Sequence, residues 1–350
     1  MSIRFSVISL FLIVQFSLFA QELQWKAGLN YFFDNTEFAK SNLTKDQTMT
    51  GVHFSPELGI KWDSVHAIFV GSDLLKTSGS QNIIDKIDLI AYYQYHSPKV
   101  LFRAGAFQRN ELLSNYSDLF FQDSINYYDP IMHGIFWKFG QSKAYFNLWL
   151  DWNGHQTDIN RETFYIGASA HKRFGYLFAD FQSYMYHFSN TRPSNPTYHV
   201  CDNVLAHLSL GVDYSNKFGL DTLLFAVGIL GGYERERGIP DIINTPLGAV
   251  IRFNVEYRGI GLNNTLYVGD PRMVLYNKYG GNLYWSNPFL RSNSYFESKL
   301  YLNVIHTREV QGKLSSNFHF SENKLMFEQV FTLSVSLNNF SKLNKKSIFY

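Results

Sequence analysis

Residues 247–257 read Leu247-Gly248-Ala249-Val250-Ile251-Arg252-Phe253-Asn254-Val255-Glu256-Tyr257. Ala249, Ile251, Phe253, Val255 and Tyr257 share one parity; Arg252, Asn254 and Glu256 share the other. Successive side chains of a strand point to opposite faces, so this stretch is written as a strand with one apolar and one polar side. The tight pair Arg258-Gly259 follows, and a second such stretch begins at 260. The same alternation recurs at 295–306, where Phe296, Leu300, Leu302 and Val304 oppose Glu297, Lys299, Tyr301 and Asn303. At 142–153, Phe146, Leu148, Leu150 and Trp152 oppose Tyr145, Asn147, Trp149 and Asp151. At 309–320, Leu314, Phe318 and Phe320 oppose Gln311, Lys313, Asn317 and His319.

Worked outward in both directions, the pattern gives about sixteen strands, the first at 23–33 and the last at 324–337. Their connections alternate in length. One set is tight: 63–64, 97–98, 140–141, 173–174, 216–218, 258–259 and 307–308. The intervening set is long: 34–50, 74–86, 109–130, 154–160, 189–203, 234–246 and 270–294, with 321–323 its one short member. An even number of antiparallel strands with short turns at one end and long loops at the other is the pattern of a transmembrane β-barrel in a bacterial outer membrane. The tight turns and both termini are assigned to the periplasm, the long loops to the exterior.

Composition agrees. Charged residues are 17% of the 350, against roughly 25% in soluble domains, and aromatics also reach 17%, with 32 Phe and 23 Tyr. The mean hydropathy is nevertheless −0.17, which excludes a bundle of membrane helices. A wall whose residues face lipid and water in turn reconciles the two. The net charge of +2, without a basic run in the barrel, gives no sign of nucleic-acid binding. A single cysteine, Cys201, excludes an intrachain disulfide.

Residues 1–20 read as a signal peptide, with Arg4 before the apolar run 7–19 and Ala20 at the expected cut. Residues 21–340 form the outer-membrane barrel, and 341–350 a short basic C-terminal tail. Outer-membrane lipid is then an obligatory partner. A lysine or arginine facing lipid near the midplane costs about 2–4 kcal/mol. Arg103, Lys138, Arg252, Lys299 and Lys313 are therefore expected in the lumen, with Glu256 and Glu297 beside them.

On strand number, length and loop rhythm, the chain resembles the porin-like outer-membrane proteins. The resemblance is one of architecture and carries no family-specific motif. It implies a channel for passive diffusion of small hydrophilic solutes, and a homo-oligomer. It also implies that the third long connection, 109–130, folds inward as a constriction loop carrying Glu111, Asp118, Asp123 and Asp129. Connection 270–294 is a second segment able to close the mouth. An adhesion, scaffold or assembly barrel acting through its loops is the alternative. A lipid-modifying barrel enzyme is a third reading, since outer-membrane phospholipases and lipid A deacylases use His and Ser near the lipid interface. His171 lies near Ser169, and His187 near Ser183 and Ser189. Eleven histidines among many serines produce such pairs by chance. A nucleophile also needs a base in hydrogen-bond reach and a third group to orient it. The expectation is accordingly a non-enzyme with no catalytic residue, no cofactor and no metal ligand.

Overall fold

The computed structural model describes residues 21–339. The expected signal peptide and the basic tail lie outside the described residues. The strands are β1 (Glu22–Glu37), β2 (Gln47–Trp62), β3 (His66–Thr77), β4 (Lys86–His96), β5 (Val100–Gln108), β6 (Ile131–Gln141), β7 (Ala144–Gly154), β8 (Thr163–Phe174), β9 (Leu177–Phe188), β10 (Cys201–Asp213), β11 (Thr222–Glu236), β12 (Ile242–Asn244), β13 (Leu247–Tyr257), β14 (Ile260–Gly269), β15 (Ser294–His306), β16 (Val310–Ser321) and β17 (Lys324–Asn338). Each wall strand pairs antiparallel with its chain neighbours, and β1 closes the ring on β17, from Lys26 opposite Asn338 to Glu37 opposite Phe327. β12 is a short spur against Glu234–Glu236, and β11 passes over it to pair with β13. The ring is therefore a closed sixteen-stranded antiparallel barrel, as expected. Closure leaves no unpaired edge, which is what permits a sheet to stand in hydrocarbon.

The two faces follow the alternation. Leu58, Val70, Leu210, Ile229 and Leu300 point outward and are exposed. So large an apolar belt needs a bilayer to cover it. The short external connection is a tight two-residue turn in which Glu322 and Asn323 both have positive φ, at 52° and 59°. That geometry matches the twist of the strands it joins, and it makes the external rim low between β16 and β17.

The lumen is not empty. Loop 109–130 carries a short helix, Asp123–Tyr128, and buries Leu119 and Phe120 inside the barrel. Loop 270–294 buries Leu283, Tyr284, Phe289 and Leu290 beside them. The loops also bond to each other: Gln122 N donates to Trp285 O at 2.8 Å, and Asn287 N to Leu119 O at 3.2 Å. Two long loops from opposite sides of the ring thus share one apolar core with the wall.

Candidate functional site

The lumen-facing charges sort into two groups. Toward the periplasm, Lys26 is 3.1 Å from Glu57 and 3.5 Å from Glu111, and Arg103 is 2.7 Å from Glu111. Tyr92 Oη donates to Glu57 at 3.0 Å. At the same end Lys138 lies over the Tyr145 ring, Lys313 lies over Tyr301, and Tyr301 Oη donates to Glu256 at 2.7 Å. Arg252 is 3.6 Å from Asp180. Every charge in this group has a partner of opposite sign or an aromatic face. At the external root of loop 109–130, Asp129 is 3.4 Å from Arg109.

The second group lies at the external end, where β1, β15, β16 and β17 meet the two inner loops around a cavity of about 100 Å³. Strand parity puts Asp34 and Thr36 of β1, Glu328 of β17, Asn317 and His319 of β16, and Glu297 and Lys299 of β15 on the lumenal side. Register brings them level: Glu297 is opposite His319, and Asn317 is opposite both Lys299 and Glu328. Asp123 enters from the inner helix, and Phe38, Lys45, Pro288 and Phe289 are among the other residues that line the cavity.

Three carboxylates converge here. Asp34, Asp123 and Glu328 each bring an oxygen to within 4.8 Å of the others. Asp34 is fully buried, and neither of its carboxylate oxygens has a well-formed hydrogen bond within 3.5 Å; Glu328 and Tyr127 are the side chains that come nearest to giving it one. An orphaned buried carboxylate is costly, and like charges this close raise the cost further. Asp123, on the inner loop outside the membrane-spanning strands, shows the effect. Burial pushes its carboxyl up to about 7, with Glu328, Asp118 and Glu297 adding to the rise against Lys299. Lys299 is already engaged, at 2.6 Å from Asp118 and 3.3 Å from Glu297, and its charge holds Asp118 below the usual carboxylate range.

All-oxygen donors around an unneutralised buried charge suit a hard divalent cation such as Ca²⁺ or Mg²⁺. The orphaned Asp34 is the observation that fits such an ion.

His319 stands beside the carboxylates. Its Nδ1 is 2.7 Å from Tyr295 Oη and its Nε2 is 3.3 Å from Glu328 Oε2. The ring is stacked on Phe289 at 5.1 Å and edge-on to Phe38 at 5.3 Å, so its orientation is fixed by packing. Asn317 Nδ2 donates to Glu328 at 2.5 Å and holds that carboxylate in place.

The histidines weighed in the sequence fall elsewhere. His171 is paired with Asp180 at 2.6 Å, while the Ser169 hydroxyl accepts from Asn115 and Asn147. His187 pairs with Asp202 at 2.8 Å on the face opposite the lumenal Tyr186 and Phe188, away from the cavity. A third group, Ser55–Asp73–His53, has the right residue types in the wrong order. The acid sits in the middle, and His53 Nε2 is taken by the Tyr127 carbonyl. A histidine so occupied cannot take a proton from the serine.

Of the residues singled out from sequence, the structure brings Glu297, Lys299, Asp118 and Asp123 to this cavity. It places Arg103, Lys138, Arg252, Glu256, Lys313 and Glu111 toward the periplasm, and Asp129 at the root of its loop. Asp34 and Glu328 were not anticipated.

A family model described as Lipid A 3'-O-deacylase-type matches residues 17–344. That match overturns the expectation that the chain is not an enzyme. No curated protein matches the chain. Among solved structures, the chain is similar to OmpTdeltaL8, a loop-deletion mutant of OmpT from Vibrio cholerae, with a TM-score of 0.55 at 9% identity over 91% of this chain and 100% of that one. It is similar to Salmonella typhi OmpF, in a complex with daunomycin, with a TM-score of 0.52 at 8% identity over 91% and 97%. It is also similar to a triple mutant of the Rhodopseudomonas blastica porin, with a TM-score of 0.50 at 9% identity over 90% and 100%. At these identities the likeness is one of fold: a porin-like outer-membrane barrel.

Proposed function

The chain belongs to the Lipid A 3'-O-deacylase-type family, and from that premise we propose that it is an outer-membrane hydrolase that removes an ester-linked acyl chain from a lipid A-class glycolipid. The observation that carries the proposal is the cavity at the external end of the lumen, where a packed histidine faces three converging carboxylates, one of them orphaned. The cavity sits at the outer-leaflet end of the barrel, the level at which a glycolipid headgroup presents its esters. The loops that fill the lumen support this reading over passive diffusion.

Bound by Asp34, Asp123 and Glu328, a hard divalent cation would supply charge stabilisation at an ester carbonyl. The remaining chemistry falls to the chain itself. In the ion-free site Nε2–H of His319 donates to Glu328 Oε2, which only accepts. With that carboxylate taken up by a cation and Nδ1–H donating to Tyr295 Oη, the Nε2 lone pair would be released to accept a proton from water. The water oxygen bonds to the ester carbon, the carbon–oxygen bond to the sugar breaks, and the proton passes from Nε2 to the departing sugar oxygen. A free fatty acid and a lipid with a restored hydroxyl result. The imidazolium formed in between is stabilised by Glu328 at 3.3 Å and Glu297 at 3.7 Å. The apolar walls of Phe38 and Phe289 keep bulk water from competing.

The test is acyl release from lipid A in mixed micelles containing Ca²⁺, read by mass spectrometry. The wild-type chain is expected to release one acyl chain, and His319→Ala to lower the rate by about 10²–10⁴-fold. Release undiminished in His319→Ala would remove the histidine from the mechanism. No release by the wild-type chain, with or without Ca²⁺, would overturn the activity.

A further inference from the structure

The cluster Ser55–Asp73–His53 lies outside the cavity, and the mechanism above leaves it without a task. All three side chains are buried. Asp73 accepts from Ser55 Oγ at 2.5 Å and lies 2.5 Å from His53 Nδ1. His53 Nε2 is 2.8 Å from Tyr127 O, and because a carbonyl oxygen only accepts, this nitrogen carries a proton and donates. Lys86 Nζ donates to the next carbonyl, Tyr128 O, at 2.9 Å. The two donors thus cap the final carbonyls of the helix Asp123–Tyr128.

The same end of that helix is clamped sideways. The Tyr127 ring is stacked on Phe32 at 4.3 Å with only 4° between the planes. Phe32 precedes Asp34 by two residues and shares its lumenal face on β1. Room for the Phe32 ring comes from Gly51, where a Cβ would lie 2.9 Å from Phe32 Cζ. The far end of the helix carries Asp123 into a cavity where Glu328, Asp118 and Glu297 repel it. Four residues are about one helical turn, so holding Tyr127 holds Asp123.

We propose that His53, oriented by Asp73 and Ser55, is a positioning residue for the carboxylate site: it anchors the inner helix so that Asp123 stays beside Asp34 and Glu328. This rests on the cation-site reading above. His53 touches neither substrate nor ion in the proposal. Its effect passes through the Tyr127 carbonyl.

The experiment is calorimetric titration of Ca²⁺ into the full chain in detergent, with folding followed by heat-modifiable migration. The variants are His53→Leu, His53→Gln, Asp123→Asn and the combinations of each His53 change with Asp123→Asn. The wild-type chain is expected to bind Ca²⁺. Losing the donor in His53→Leu weakens the affinity by about tenfold, whereas the amide of His53→Gln, which can still donate to Tyr127 O, weakens it by about two- to threefold. Neither change has a further effect once Asp123 is Asn, because coupled residues are not additive. Should the Leu variant fail to fold, the Gln variant with and without Asp123→Asn carries the same test. Wild-type affinity in His53→Leu, or an equal weakening in the Asp123→Asn background, overturns the positioning role while leaving the cation site standing. A wild-type chain that binds no Ca²⁺ overturns the cation site itself and the inference with it.

Discussion

The two charged regions of the lumen are built from the same residue types and follow opposite rules. Toward the periplasm, two cations, Lys26 and Arg103, meet two anions, Glu57 and Glu111, with Tyr92 and Gln94 supplying the remaining hydrogen bonds. At the external end, three carboxylates converge, and Lys299 on the same cavity is committed to two others, Asp118 and Glu297. The first arrangement minimises the cost of burying charge. The second leaves that cost in place, and nothing in the packing of a barrel requires it. Unrelieved charge next to a packed histidine is what a binding or catalytic site looks like when its ligand is a cation.

The largest expected effect is a difference of sign between the regions. Asp34→Asn removes one charge from the external trio. Two like charges 4.8 Å apart repel by about 3 kcal/mol at an effective dielectric constant of 20. The ion-free variant should therefore unfold at a higher temperature than the wild-type chain while losing Ca²⁺ binding and acyl release. Glu57→Gln makes the same chemical change in the paired region. It leaves Lys26 with only the longer contact to Glu111, and should cost about 1–3 kcal/mol of stability with activity kept within a few-fold. Thermal unfolding in EDTA, followed by heat-modifiable migration, measures both. Destabilisation by Asp34→Asn would show that the trio is a structural network after all.

A second, smaller effect is in pH. Asp123 is held up at about 7 in the folded chain, above the ordinary carboxyl value of 3.8. A raised carboxyl favours the protonated folded state. The stability this contributes is fully present below about pH 4 and is lost as pH rises through 7. A cation must displace that proton, so its affinity should rise with pH up to about 7 and level off above. Proton release on binding, measured in buffers of different ionisation enthalpy, should be large at pH 6 and absent at pH 8.5. Affinity independent of pH across that range would mean that Asp123 is not a ligand.

The barrel was legible in the sequence because its signal is local. Arg252, Lys299 and Lys313 declare the lumen face through their immediate neighbours, and Arg258-Gly259 needs no distant information to be a turn. The site was only half legible. Asp118 and Asp123 could be named because an inward loop was implied by resemblance, and His319 because its strand alternates cleanly. Asp34 was missed for a physical reason. Tyr31-Phe32-Phe33 is aromatic on both faces, with Phe32 packed inside and its neighbours toward lipid, so the period of two disappears there. The strand was read as ending at 33, whereas β1 runs to Glu37 and makes Asp34 part of the wall. Glu328 comes level with it only because the ring closes on itself, pairing Thr36 with Glu328 across almost the whole chain. The enzyme reading stayed third for a related reason: a serine and a histidine close in sequence carry no information about this site, whereas the neighbours of His319 come from four separate segments, Phe38, Phe289, β15 and β17.

The smallest effect tests how far the paired region serves the unpaired one. Glu111 belongs to the inner loop but is anchored in the periplasmic network. Burial alone would raise its carboxyl; Lys26 and Arg103 outweigh that and bring it down to about 2 from 4.5. The stability from this depressed group is present above about pH 4.5 and is lost as pH falls toward 2. Glu111→Gln should remove that part of the acid dependence. Lys26 keeps Glu57 and Arg103 keeps Gln94, so neither cation is stranded and the barrel stays folded. The loop keeps its second tie, Asp118 to Lys299, and its helix keeps the cap from His53. Acyl release at pH 7 should therefore fall by no more than about threefold. A loss as large as that of His319→Ala would mean that the two regions are one mechanical unit, with the periplasmic ion pairs setting the geometry of the external carboxylates.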